Sequence, residues 1–141
     1  MKINLQRIND DYHFELSNER GHKVYLDNST AHGGHDLAAS PMELVLMAVA
    51  GCSSIDIVSI LKKQKQIIHD YRAEVVGNRI KEDEANPFKE IVLTFYLEGE
   101  IDPLKAEKAA ALSFEKYCSV SKSLEPKVNI RYQVFVNESK K

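Results

Sequence analysis

Only two cysteines occur in the 141 residues, Cys52 and Cys118. So few cannot staple a secreted scaffold, and a pair this far apart is not expected to form a permanent disulfide in a cytosolic chain. They show neither Cys-x-x-Cys spacing nor a zinc-finger arrangement. A basic excess is also missing. The net charge of −2 at pH 7 argues against nucleic acid as a partner, because its binders carry a positive face. The opening MKINLQRINDDYHFEL has no apolar core, so no signal peptide is expected and the cytoplasm is the expected setting. The longest unbroken apolar run, Leu44 to Ala50, is too short to cross a bilayer by itself, so no membrane partner is expected. No repeat, low-complexity tract or linker interrupts the chain, which reads as one domain over residues 1–141. With 43% hydrophobic and 28% charged residues, the composition is that of ordinary globular protein.

The local pattern predicts α+β. A short strand is expected near Lys2–Ile8. Tyr12, Phe14 and Leu16 then alternate with polar residues. The turn signal Ser17–Gly21 and a second alternation over His22–Asp27 complete a hairpin. Residues 28–39, rich in Gly, Asn and Ser, read as a loop. Ser40-Pro41-Met42-Glu43 is a capping box with a proline at the first helical position. The helix it opens is expected to reach Gln66. Its middle is apolar nearly all round, from Leu44 to Val49 and again from Ile55 to Leu61, so burial on several sides is expected. One small sheet cannot cover so much surface, and a symmetric twin chain is the simplest partner. Lys62, Lys63 and Lys65 suit the negative end of the helix dipole and need no nucleic acid. Strands at Tyr71–Ile80 and Glu90–Leu97, a helix from Asp102 or Pro103 to Tyr117, and a strand at Lys127–Val136 complete the order β-β-β-α-β-β-α-β. Hairpins outnumber βαβ units in this order, which favours α+β over a doubly wound sheet.

Cys52 lies in the most apolar segment, SPMELVLMAVAGCSSIDIVSILKKQKQ. Free cysteine is often simply a small buried hydrophobe. A reactive thiol needs help from a cation or a helix N-terminus. Cys52 is near mid-helix, and Asp56, one turn on, opposes ionisation if it lies close. Composition alone leaves both readings open.

The second cysteine, in Tyr117-Cys118-Ser119-Val120-Ser121 after the second helix, changes the balance. A cysteine midway along a long helix after Ser-Pro-x-Glu-Leu resembles the osmotically inducible protein C / organic hydroperoxide resistance (OsmC/Ohr) family. So does Cys-Ser-Val-Ser, where members usually carry Cys-Pro-x-Ser. Element order and cysteine separation are similar too, over nearly the whole chain. The resemblance implies an intertwined homodimer and thiol-dependent reduction of organic hydroperoxides, in defence against oxidative stress. It implies that Cys52 is the peroxidatic cysteine and Cys118 the resolving one. It also implies an external dithiol or lipoyl-type reductant, and no metal or other cofactor.

Three positions depart from the family pattern. Met42 stands where members carry a glutamate. Glu43 follows, but nine helical residues turn it about 180° from Cys52, and its capping role accounts for it. The family arginine has no counterpart in Asp10–His13, so Arg7 and Arg20 are the candidates to supply its charge. Ser119 replaces the usual proline. These departures keep a second reading open, a non-catalytic module binding a small apolar or acyl ligand at the dimer interface. Other constellations carry less. His32-Gly33-Gly34-His35-Asp36 lacks a third metal ligand at helical spacing. Ser53 and Ser54 lack the Gly-x-Ser-x-Gly of a hydrolase elbow. Tyr12, Phe114 and Tyr117 read as aromatic core or pocket lining.

Overall fold

The computed structural model describes residues 1–138. The chain divides into two compact units, residues 1–45 and the residues from 46 onward.

The first unit is a three-stranded antiparallel meander of β1 (Ile3–Arg7), β2 (Phe14–Asn18) and β3 (Lys23–Leu26), in that order. Its register sets Leu5 opposite Leu16, and Phe14 opposite Leu26. The β2–β3 turn is held by Asn18, whose Oδ1 accepts the N–H groups of Arg20 and His22. Gly21 supplies the left-handed φ of 83° this turn requires. Beyond β3 the loop folds around Asp27, which is 1% exposed. Burial pushes its carboxyl upward. The backbone N–H groups of Leu37, Asn28 and His35 more than offset this, helped by His13, and hold it below the usual carboxylate range. Gly34 packs so closely on the Asn28 carbonyl that no side chain fits there.

The long helix α1 (Pro41–Lys63) begins as the sequence predicts. The Glu43 carboxylate accepts the Ser40 N–H and hydroxyl, both at 2.7 Å. The helix stops three residues short of the expected Gln66. Lys65 turns left-handed at φ 59°, and the Gln66 N–H bonds back to the Leu61 carbonyl.

The second unit holds β4 (Ile67–Arg79), β5 (Phe88–Glu100) and β6 (Asn129–Val136), with β5 central. The β4 pairing is antiparallel and the β6 pairing parallel. The parallel crossover contains α2 (Pro103–Leu112), a π-helical turn over Ser113–Tyr117, and the short α3 (Ser119–Leu124). Asp102 caps α2 by accepting the Leu104 N–H at 2.8 Å. Every predicted strand and both predicted helices are present; α3 is an addition. The strand β4 starts four residues before the expected Tyr71. A bulge between Ile68 and Asp70 breaks the alternation that would reveal it in sequence. Gly99 lies opposite at φ 146°, where a side chain would strike the Ile67 carbonyl.

The core is built on β5. Phe88, Ile91, Leu93, Phe95 and Leu97 are buried, along with Ala106, Ala109 and Ala110 of α2. Along α1 only Val49, Ser53, Ile57 and Leu61 are buried, a single row at intervals of four. The expected burial on several sides is therefore not met within one chain. Met47 is 57% and Ile55 72% exposed. The helix is also more apolar than its longest unbroken run implies. An 18-residue window averages a hydropathy of 2.2, long and apolar enough to span a membrane by length and composition. Its polar residues nonetheless bond within the protein. The Ser53 hydroxyl donates to the Val49 carbonyl at 2.8 Å, Ser54 pairs with Tyr71 of β4, and Asp56 with Ser113.

Candidate functional site

Cys52 sits half-buried midway along α1, and Cys118 is fully buried between the π-helical turn and α3. Both are free thiols. Their Sγ atoms and a carboxylate oxygen of Asp56 all lie within 4.8 Å of one another. Helical spacing explains one half of this arrangement, since residues i and i+4 stack on one face and Asp56 stands one turn beyond Cys52.

Ser113 explains the other half. Its hydroxyl donates to Asp56 Oδ2 at 2.9 Å, and its carbonyl accepts the Cys118 N–H at 2.7 Å. One residue thus ties the α1 carboxylate to the backbone of the second thiol. The π-helical turn, with one residue more per hydrogen-bonded ring than an α-helix, carries Ser113 and Phe114 inward together. Phe114 stacks on Tyr132 with ring centroids 4.9 Å apart, and leans on Phe95. Burial pushes the Cys118 thiol up from its ordinary value. The Ser121 hydroxyl and N–H pull the other way, and the neighbouring Cys52 adds to the rise. At rest this suits a neutral thiol rather than a thiolate.

Tyr71 closes the β4 side, its hydroxyl bonded to Ser54 Oγ at 3.1 Å. Burial pushes its phenol from 10.0 up to about 12; the Ser54 hydroxyl, which can turn to donate to a phenolate, offsets only part of this. Because the folded value is the higher one, the unfolded chain ionises first as pH rises. Stability is expected to fall by about 2–3 kcal/mol across pH 10 to 12 on this account. Ultraviolet phenolate titration of the wild type against Tyr71→Phe checks it. The variant should lose the latest-titrating phenol.

A cleft of about 360 Å³ reaches the site at Asp56 and is lined further by Ser59, Ile60, Lys63, Leu112 and Tyr117; neither cysteine lines it. Tyr117 therefore serves as pocket lining and Phe114 as core, while Tyr12 is 48% exposed.

The other candidate site residues singled out in the sequence, Glu43, Arg7 and Arg20, lie in the first unit. Glu43 is held by Ser40, which keeps its carboxyl below the usual range. Arg7 donates to the Asp10 carbonyl at 3.3 Å, and Arg20 is an exposed turn residue. His35 pairs with Asp11 at 2.6 Å and His32 with Ser29 at 2.8 Å. Asp56 and Ser113 are the site residues that the sequence reading missed as site members. The i+4 spacing from Cys52 pointed to Asp56; no local signal pointed to Ser113.

A family model described as OsmC-like protein matches residues 33–133. The curated protein YhfA of Escherichia coli K12 is 41% identical over 113 residues, which cover 79% of this chain and 81% of YhfA. A crystal structure of a hypothetical protein from Aquifex aeolicus superposes with a TM-score of 0.78 at 27% identity, covering 97% of each chain. An organic hydroperoxide resistance protein OsmC from Legionella pneumophila shares the fold, with a TM-score of 0.72 at 20% identity over 96% of this chain and 98% of that one.

Proposed function

Because the chain belongs to the OsmC/Ohr family, we propose that it reduces hydroperoxides, organic ones foremost, through Cys52 and Cys118. The observation that carries this reading is the meeting of two free thiols, remote in sequence, within 4.8 Å at one site. Solved neighbours named as organic hydroperoxide resistance proteins support it at the level of the fold. The Cys52 thiolate attacks the O–O bond and takes one oxygen as sulfenic acid, and the alkoxide leaves with a proton as alcohol. The Cys118 thiol then displaces water from that sulfenic acid to form a disulfide. An external dithiol of the lipoyl type restores both thiols by exchange. Sulfur carries the whole redox change, so the cycle needs no resident cofactor. Half-burial suits the division of labour. Cys52 is half-buried and so partly open to a peroxide, whereas Cys118 is fully buried and shielded from a molecule of that size. Such a cycle belongs to the cytoplasm and to defence against oxidative stress.

The decisive experiment incubates the reduced protein with cumene hydroperoxide and dihydrolipoamide and follows dithiol consumption. Turnover supports the reading. Absence of turnover with several dithiols overturns it and leaves the module that binds a small apolar ligand, which native mass spectrometry would detect as a co-purifying mass.

A homodimer completes the proposal. The exposed row Met47, Gly51 and Ile55 on α1 is apolar, and nothing lies within 4 Å of a Cβ placed on Gly51, so another helix can approach closely there. Ile55→Asp is expected to convert a dimer to monomer in light scattering after gel filtration. An unchanged mass for this variant would remove α1 from the interface.

A further inference from the structure

We infer that the reduced Cys52–Cys118 pair, together with Asp56, forms a binding site for a thiophilic divalent cation of the zinc–cadmium class. Among the described residues, these are the groups whose donor atoms cluster closely enough to hold an ion. Two sulfurs and one carboxylate oxygen are a donor set that selects zinc or cadmium over magnesium or calcium, which take oxygen. Tetrahedral zinc, with bonds of about 2.3 Å to sulfur and 2.0 Å to oxygen, sets sulfurs about 3.8 Å apart and sulfur about 3.5 Å from oxygen. The three atoms already lie within 4.8 Å of one another, so the ion needs to draw them in by no more than about 1.3 Å.

Two further observations fit a cation. Asp56 makes no ion pair among the described residues, and its hydrogen bond is to the neutral Ser113 hydroxyl. That hydroxyl orients the carboxylate as an outer-sphere partner of a metal ligand does. Asp56 also lines the 360 Å³ cleft, so an ion can approach the site from the carboxylate side. The site is competitive with the thiol chemistry and serves no step of it. Binding one dication releases one proton from each thiol. A hydroperoxide reacting with the loaded pair takes up two protons and yields disulfide, alcohol, water and the freed dication. The cation therefore guards the thiols, and oxidation expels it.

Titration of the fully reduced chain with cadmium tests this by sulfur-to-metal charge-transfer absorption, independently of any peroxidase activity. The expected result is one ion per chain, with Cys52, the partly exposed thiol, protected from a thiol reagent at saturation. Cys52→Ser and Cys118→Ser should each abolish the saturable band. Asp56→Asn should weaken binding by about ten- to a hundredfold. Zinc should displace cadmium only when in large excess, since thiolates favour the softer ion, and the oxidised chain should bind neither. Binding that survives Cys118→Ser, or that survives oxidation, overturns the inference. So does a reduced chain with no saturable band. A circular dichroism spectrum like the wild type's keeps each variant's result attributable to the site. A chain that binds cadmium but turns over no hydroperoxide would refute the peroxidase proposal alone.

Discussion

On the proposed cycle, a Cys52→Ser variant is expected to lose dithiol-dependent hydroperoxide reduction by at least about a thousandfold, because Cys118, the other thiol at the site, is fully buried. Serine keeps the size of the side chain and removes the nucleophile, so the fold should be untouched. The partner variant, Cys118→Ser, separates the two roles. It should complete one attack and stop, leaving a sulfenic acid visible as the gain of one oxygen by mass spectrometry and trapped by dimedone. The geometry sets this asymmetry. Cys52 is the partly open thiol, whereas Cys118 is fully buried, with its N–H spent on Ser113. If Cys118→Ser turned over at the wild-type rate, an external thiol would be meeting the sulfenic acid directly, and the resolving role would be wrong.

The second large effect is structural and reaches the same site. Phe95 is fully buried in the central strand, with Tyr71 at 6.2 Å and Phe114 at 6.3 Å between ring centroids. Phe95→Ala is expected to cost about 3–5 kcal/mol through lost burial and the cavity it leaves. For a chain of this length that lowers the melting temperature by about 10 °C or more. The cavity would open under Phe114, next to Ser113 in the π-helical turn. Peroxidase activity, measured well below the melting temperature, should therefore fall as well, since Ser113 anchors both Asp56 and the Cys118 backbone. Phe95→Leu should recover most of the stability. A variant melting within a few degrees of the wild type would show that the aromatic cluster is less tightly packed than its geometry implies.

Particular residues show how much of this was legible beforehand. Ser40-Pro41-Met42-Glu43 marked the start of α1 because a capping box is a local device whose partners lie three residues apart. The strand β5 was legible because Ile91, Val92, Leu93, Thr94, Phe95 and Tyr96 are almost all β-branched or aromatic, although which of them are buried was not. The end of α1 was not, since Lys65 takes a left-handed conformation without being glycine or asparagine. Nor was the start of β4, whose bulge is matched to Gly99 across the sheet. At the site, the two cysteines were found through motif resemblance, and Asp56 was noted only as a neighbour. Ser113 was invisible because its role depends on a widened turn and on a contact with Asp56, 57 positions back along the chain.

The fourfold spacing along α1 sets one more geometric condition. Steps of four residues overshoot a full turn by about 40°, so such rows wind obliquely around the axis. The open row Met47, Gly51, Ile55 slants parallel to the buried row Val49, Ser53, Ile57, Leu61. A second copy of the helix, seated ridge-into-groove along the open row, would cross the first diagonally at about −50°, nearest at the bare backbone of Gly51.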